Sequence, residues 1–211
     1  MRLEIASAEA VRHACLHFHY SRRVPSNLCG FSVFNGKGEW CGVIIYSNGA
    51  TPQVAKSFRM AQGMICELSR VALNGKQEST SQAISISLRM LKRLCPLIEL
   101  VVSFADRAQG HVGTVYQASN WLYLGTSQRA KYYLIRGKKT HPRSVVPASP
   151  TNTLAGVRKY IDPNAVEFFD FGKYKYVYPL TEKQRRRFKS LAMSYPKRDQ
   201  SMTVMRPVSN G

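Results

Sequence analysis

Apolar and polar positions repeat along this chain with two periods, and the changes between them mark its elements. Residues 6–19 predict a short helix, with Ser7 placed as N-cap and Glu9 in the first turn. A loop rich in Ser, Arg and Pro (SRRVPSNLCG) follows. GFSVFN and WCGVIIYS then read as strands, and the NGKGE between them has the Asn and Gly of a hairpin. MICELSRVAL reads as a further strand, ended by NGKQES. Residues 80–94 predict a helix, because Ile84, Leu88 and Leu91 share one face while Arg89, Lys92 and Arg93 point elsewhere. Ser79 and Gln82 have the spacing of a capping box at its start, and Pro96 ends it. ELVVSFAD is a continuous apolar run, the pattern of a strand covered on both faces.

Beyond it the pattern predicts a helix over 114–120, a strand around WLYLG, and aromatic strands at KYYLIRG and KYKYVYP. LTEKQRRRFKSLAMSYPKR closes the series, with Thr181 as N-cap of a basic helix. Neither internal repeats nor low-complexity tracts interrupt it. The order predicts an α/β fold with a mixed, mostly antiparallel sheet flanked by helices, and a basic C-terminal extension. The expected division is a core over 1–137 and an extension over 138–211 packed on it, within one structural domain.

Charge changes the picture most. Thirty-one Lys and Arg face twelve Asp and Glu, for a net charge of +19 and a pI near 10.1. Self-repulsion of that size is relieved by a polyanionic partner, nucleic acid first and an anionic membrane surface second. The basicity is spread along the chain, since the last 74 residues hold fifteen of the Lys and Arg and five of the acids. No apolar run approaches the roughly 20 residues of a membrane span, and MRLEIASAEAVRHACLHFHY lacks a signal-peptide core. The expectation is a cytoplasmic protein with no membrane role. Cys15, Cys29, Cys41, Cys66 and Cys95 are odd in number and form no CxxC pair, which predicts free thiols.

Several residues are candidates for chemistry. Asp106 closes a buried strand, where open α/β sheets bind ligands, and reads either as a base for an amino group or as a cap carboxylate. Tyr116 reads as a proton donor or as a packed ring. His111, between glycines in GHVG, reads as a base, a metal ligand or a loop residue. Arg70 in an otherwise apolar strand needs an anion, and Asp106 is a candidate partner. Glu67 and Arg70 have opposite parity, so they line one site only if a bulge intervenes. Ser79, Thr80 and Ser81 stand at a helix start, able to bind an anion or simply to cap. His13 and His17, four apart, suit a metal, though no third ligand is evident nearby. His19 and Tyr20, beside Arg22 and Arg23, are substrate candidates. Phosphate contacts are expected from Arg22, Arg23, Lys138, Lys139, Arg143, Lys183, Arg185, Arg186, Arg187, Lys189, Lys197 and Arg198. Trp121, Tyr123, Tyr132 and Tyr133 offer stacking rings.

The element order resembles the core of the GNAT acyltransferases. YQASNW (116–121) is similar to their Tyr-(x)3-Gly-Phe segment, whose tyrosine is a general acid; Asn120 stands at the Gly and Trp121 at the Phe. A closer resemblance runs through CELSRVAL, VSFADRAQGHVGTVYQASNWLYLG and KYVYPL with YPKR, which look like the Mom DNA-modification proteins of phages related to Mu. That resemblance implies conversion of adenine in DNA to its N6-carbamoylmethyl derivative, shielding phage DNA from restriction. It favours Asp106, Tyr116 and Arg70 as catalytic, and it requires the base to be flipped out. Ser81 stands beside them as a further catalytic candidate, and Asn120 as a substrate or donor candidate.

The donor site departs from GNAT custom. NGKQESTSQA replaces the glycine-rich loop that holds the pyrophosphate of coenzyme A, and Glu78 adds a negative charge. The donor is therefore an activated acyl compound, either an acyl-coenzyme A or a glycyl donor such as an aminoacyl-tRNA, which would make RNA a second partner. A glycyl group on the adenine nitrogen would rearrange to carbamoylmethyl by attack of its free amine on the ring carbon. Two rival readings stand beside this one: a GNAT-type N-acyltransferase acting on RNA or protein, and a non-enzymatic phage nucleic-acid-binding protein.

Overall fold

The computed structural model of the chain describes residues 1–26, 28–48 and 53–197. In chain order the elements are β1 (Arg2–Ile5), α1 (Ala8–His17), β2 (Cys29–Phe34), β3 (Trp40–Ser47), α2 (Gln53–Ser57), β4 (Ile65–Leu73), α3 (Thr80–Leu94), β5 (Leu100–Asp106), α4 (Thr114–Gln117), β6 (Leu122–Thr126), β7 (Lys131–Ile135), β8 (Lys138–Thr140), α5 (Leu154–Tyr160), β9 (Val166–Phe169), β10 (Lys173–Pro179) and α6 (Glu182–Lys189). The caps fall where the side chains dictate. Ser7, Ser79 and Thr181 accept from the amides of Ala10, Gln82 and Gln184 at the starts of α1, α3 and α6. No helix among the described residues is long and apolar enough to cross a membrane.

Two compact units arise from this order. Among the described residues, the first comprises 1–105, 113–125 and 175–197, and the second comprises 106–112 and 126–174. The described residues from 138 on therefore do not form one body, because most of β10 and all of α6 cluster with the first unit.

A seven-stranded sheet in the order β1-β2-β3-β4-β5-β10-β6 is the main framework. β1 to β4 pair antiparallel, and β4 pairs parallel with β5. This is the mixed α/β sheet that the sequence predicts. α1 buries Val11, Ala14 and Cys15 against Val43, Ile45 and Ala72 on one side of the sheet. Phe58, Ile65, Leu100, Val102, Val177 and Phe188 make a second cluster, which α6 enters through Phe188. The predicted face of α3 is buried at Ile84, Leu88 and Leu91, and Arg89, Lys92 and Arg93 are exposed.

In the second unit, β8-β7-β9 form an antiparallel sheet. Tyr133 and Ile135 point to one side of it and join Val145, Val157 and Ala165 in a small core under α5. Sequence patterning placed KYYLIRG correctly as a strand but did not show that it leaves the main sheet.

The helix expected over 114–120 stops at Gln117. Asn120 has a φ of 60°, in the left-handed region, so the helix cannot continue through it. This explains the Asn where the GNAT segment carries Gly: a turn needs a residue that tolerates positive φ, and Asn is the common substitute. The exposed Asn120 is thus a turn residue. At the other end of α4, Gly113 has a φ of 80°, and a Cβ there would run into the buried ring of Tyr176, whose hydroxyl is held by Gln117. Gly113→Ala should lower unfolding free energy by about 1–3 kcal/mol, whereas Asn120→Gly should change it by only a few tenths. Urea unfolding followed by circular dichroism measures both, and equal effects would refute the assignment.

Candidate active site

The site forms where two parallel strands separate. β4 and β5 pair only through Ile65–Leu100, Cys66–Val101 and Glu67–Val102, although β4 runs on to Leu73 and β5 to Asp106. At the first unpaired step, Ser103 Oγ stands 2.9 Å from the carbonyl oxygen of Leu68 and 2.8 Å from the hydroxyl of Tyr116. A hydroxyl has one proton, and a carbonyl can only accept. Ser103 is therefore the donor of both contacts and shares its one proton between the Leu68 carbonyl and the Tyr116 oxygen. The tyrosine ring is fixed by Trp121 and Tyr176, at centroid distances of 5.1 and 5.2 Å.

Burial raises the pKa of Tyr116 above that of an ordinary tyrosine, the Ser103 bond partly opposes the shift, and the charge of Glu67 adds to it. Tyr116 therefore keeps its proton at every physiological pH.

A bulge decides which side chains of β4 share a face. The β3–β4 register passes from Ile45↔Arg70 to Tyr46↔Leu68, so Ser69 is the extra residue, and its hydroxyl donates to the carbonyl of Ile45. Paired residues share a face, and Ile45 and Ser47 are on one face of β3. Arg70 (opposite Ile45) and Glu67 (opposite Ser47) consequently lie on the same face of β4. Plain alternation would have separated them. The Arg70 guanidinium donates to the carbonyls of Ser69, at 2.6 Å, and Arg23, at 3.5 Å. It is thus held by backbone oxygens and not by the expected partner Asp106. These bonds tie the 18–26 loop, with its stacked His19 and Tyr20 rings, to the bulge.

Asp106 opens the second unit. One carboxylate oxygen accepts from the amide of Ala108 and caps a 3-10 turn over Arg107–Gln109, while its carbonyl accepts from the amide of the exposed His111. The capping role is therefore real, and a second oxygen remains for chemistry.

At the start of α3, Ser79 caps the amide of Gln82, Ser81 Oγ lies 3.1 Å from Ser79 Oγ, and Thr80 accepts from Gln77. The amide oxygen of Gln77 is buried with no partner among the described residues. Glu78 is turned to the amide of Gly36 in the β2–β3 hairpin, which lowers its pKa.

Other expectations divide. His13 and His17 stack at 4.2 Å, and the described residues contain no group of three or more His, Cys, Asp or Glu able to hold a metal. Arg187 donates to the carbonyl of Phe58 at 2.6 Å and is half-buried, so it is a structural contact and not part of the solvated patch. Arg22, Arg23, Lys138, Lys139, Arg143, Lys183, Arg185, Arg186, Lys189 and Lys197 are exposed, and Arg198 lies outside the described residues. Ser103 escaped the sequence reading. Its signal was present: it is the one hydroxyl in the apolar run ELVVSFAD.

A model of the Mom protein family matches residues 1–197. The chain belongs to that family. It is 29% identical over 206 residues to the methylcarbamoylase Mom of Escherichia phage Mu, covering 93% of this chain and 84% of the Mu protein. A crystal structure of Tetrahymena GCN5 aligns with 86% of this chain and 99% of its own, at 8% identity and a TM-score of 0.44. The Mom-like blocks identified in the sequence thus extend over nearly the whole described chain.

Burial gives this Mom chain a definite alkaline limit. Tyr46, Tyr116 and Cys66 all have raised pKa values, and Cys29 is pushed up to about 11, each mainly by burial. The fold thus holds protons that the unfolded chain releases from about pH 8.5 for Cys and 10 for Tyr. Stability is full below the unfolded values and falls as pH rises toward the folded ones. The melting temperature should therefore drop steadily from pH 8 to 10.5, and a flat profile would contradict this burial.

Proposed function

We propose that this chain modifies adenine in DNA, adding a carbamoylmethyl group to the exocyclic nitrogen, and that phage DNA carrying the group resists restriction. The observation that carries the reading is the similarity along 93% of the chain to the protein named a methylcarbamoylase in phage Mu. The net charge of +19 supplies the attraction a polyanionic substrate needs.

The residues divide the work. The exocyclic amino group of adenine is a weak nucleophile, so a carboxylate must take its proton as the new N–C bond forms. Asp106, whose second oxygen remains after capping, is the base. Tyr116 is the acid: burial retains its proton, which passes to the leaving atom of the donor. The hydroxyl of Ser103, which donates to the phenol oxygen, moderates the cost of ionising it. Arg70, pinned at the bulge, and Ser81, at the start of α3, hold the anionic parts of an activated glycyl donor. Acyl transfer gives N6-glycyladenine, whose free amine attacks the ring carbon, and breaking of the original carbon–nitrogen bond leaves the carbamoylmethyl substituent. After burial, the charge of Glu67 adds to the raised pKa of Tyr116.

The test is nucleoside mass spectrometry of DNA from cells expressing the chain. The expected product is deoxyadenosine with a carbamoylmethyl mass increase. Asp106→Ala and Tyr116→Phe should each lower its yield about a hundredfold or more, with the folded protein level unchanged. Unmodified deoxyadenosine beside well-expressed, folded protein would overturn the proposal and favour an acyltransferase acting on RNA or protein.

A further inference from the structure

The second unit has a sheet face that the chemistry above does not use. Cross-strand pairing puts Tyr132 opposite Phe168 and Leu134 opposite both Val166 and Lys139, so these five side chains share one face of β8-β7-β9. Tyr133 and Ile135 point the other way, into the core under α5. The outer face is not covered: Leu134 and Val166 are 41% and 52% exposed. The Tyr132 and Phe168 rings lie nearly parallel, with centroids 5.9 Å apart and planes inclined by 25°. Lys139 Nζ stands 4.0 Å from the Tyr132 centroid and 5.7 Å from that of Phe168.

Charge points to the occupant. The described part of this unit holds ten Lys and Arg against four Asp and Glu. The one acid within its strands, Glu167, is on the opposite face, paired with Lys131 at 3.2 Å. A face offering two adjacent rings, aliphatic flanks and a mobile cation suits a strand of nucleic acid with unstacked bases, because every base has a π-face and every phosphate a charge. A duplex buries its base faces and cannot use such rings.

We propose that the outer face of β8-β7-β9 is a stacking platform for unpaired bases of DNA, with Tyr132 and Phe168 receiving the bases and Lys139 a backbone phosphate. Lys139 is exposed, so an arriving base displaces its ammonium from the rings toward the phosphate. Asp106, the proposed base, belongs to the same unit as this face. A base drawn from the duplex has to be held apart from its partner, and this face would do so. The proposal rests on the reading of DNA as substrate.

The experiment uses the full chain and fluorescence anisotropy with a labelled single-stranded deoxyoligonucleotide, its duplex, and single-stranded RNA of the same sequence. The single DNA strand should bind most tightly. Tyr132→Ala and Phe168→Ala should each weaken that binding about tenfold and leave duplex binding unchanged, while Tyr132→Phe recovers most of the affinity lost in Tyr132→Ala. A strand carrying 5-iododeoxyuridine should photocross-link wild-type protein at Tyr132 or Phe168, which removes dependence on how the variants fold. Equal affinity for the duplex, tighter binding of the RNA, or cross-links confined to other residues would overturn the platform. Nucleoside mass spectrometry separates the two readings. Modified DNA with full single-strand binding in the alanine variants sinks the platform alone, whereas platform binding without modified DNA sinks only the enzymatic reading.

Discussion

Two strands that pair at one end and separate at the other leave backbone groups that must be satisfied without a neighbour, and the site is built around that problem. Beyond Glu67 and Val102 the ladder between β4 and β5 stops. The carbonyl of Leu68 would then be an acceptor without a strand partner, in a region where buried acceptors left empty are costly. The hydroxyl of Ser103 fills the place and also donates to the oxygen of Tyr116. The solution to a backbone problem thus places a hydroxyl proton against the phenol oxygen. Substituting Ser103 would disturb both ends of this chain of bonds, so its contribution to stability and its contribution to chemistry share one hydroxyl.

The bulge at Ser69 does comparable work on the neighbouring strand pair. One extra residue brings Glu67 and Arg70 to the same face and commits the Arg70 guanidinium to carbonyl oxygens. A cation so held needs no carboxylate to justify its half-burial, and its remaining donors can meet an incoming anion. Ion pairing is sparse elsewhere too. The described residues contain three salt bridges, two between partners only two and four residues apart, in a chain of +19. Most of the positive charge is therefore uncompensated by the fold and available to an external polyanion.

Much of the architecture was legible because it is local. The caps at Ser7, Ser79 and Thr181, the buried face of α3 and the apolar run of β5 each follow from a few adjacent residues. What escaped was set by pairing at a distance. KYYLIRG reads as a strand whichever sheet receives it, and only the partners at β8 and β9 show that it builds a second one. The bulge was invisible for the same reason, since parity along β4 is defined by what lies opposite in β3. Asn120 marks the limit from the other side: its likeness to a family glycine suggested function, and its backbone angle explains it as a turn.

The two sets of candidate chemistry therefore stand on different footing within the molecule. Tyr116, Ser103, Glu67 and Arg70 belong to the first unit, where strand separation and the bulge fix their geometry. Asp106 belongs to the second, where its carboxylate caps a turn. β5 is the covalent link between them, ending at the residue where one unit passes into the other. The parting of β4 and β5 therefore fixes only the residues of the first unit, while Asp106 takes its place from the turn that its own carboxylate caps.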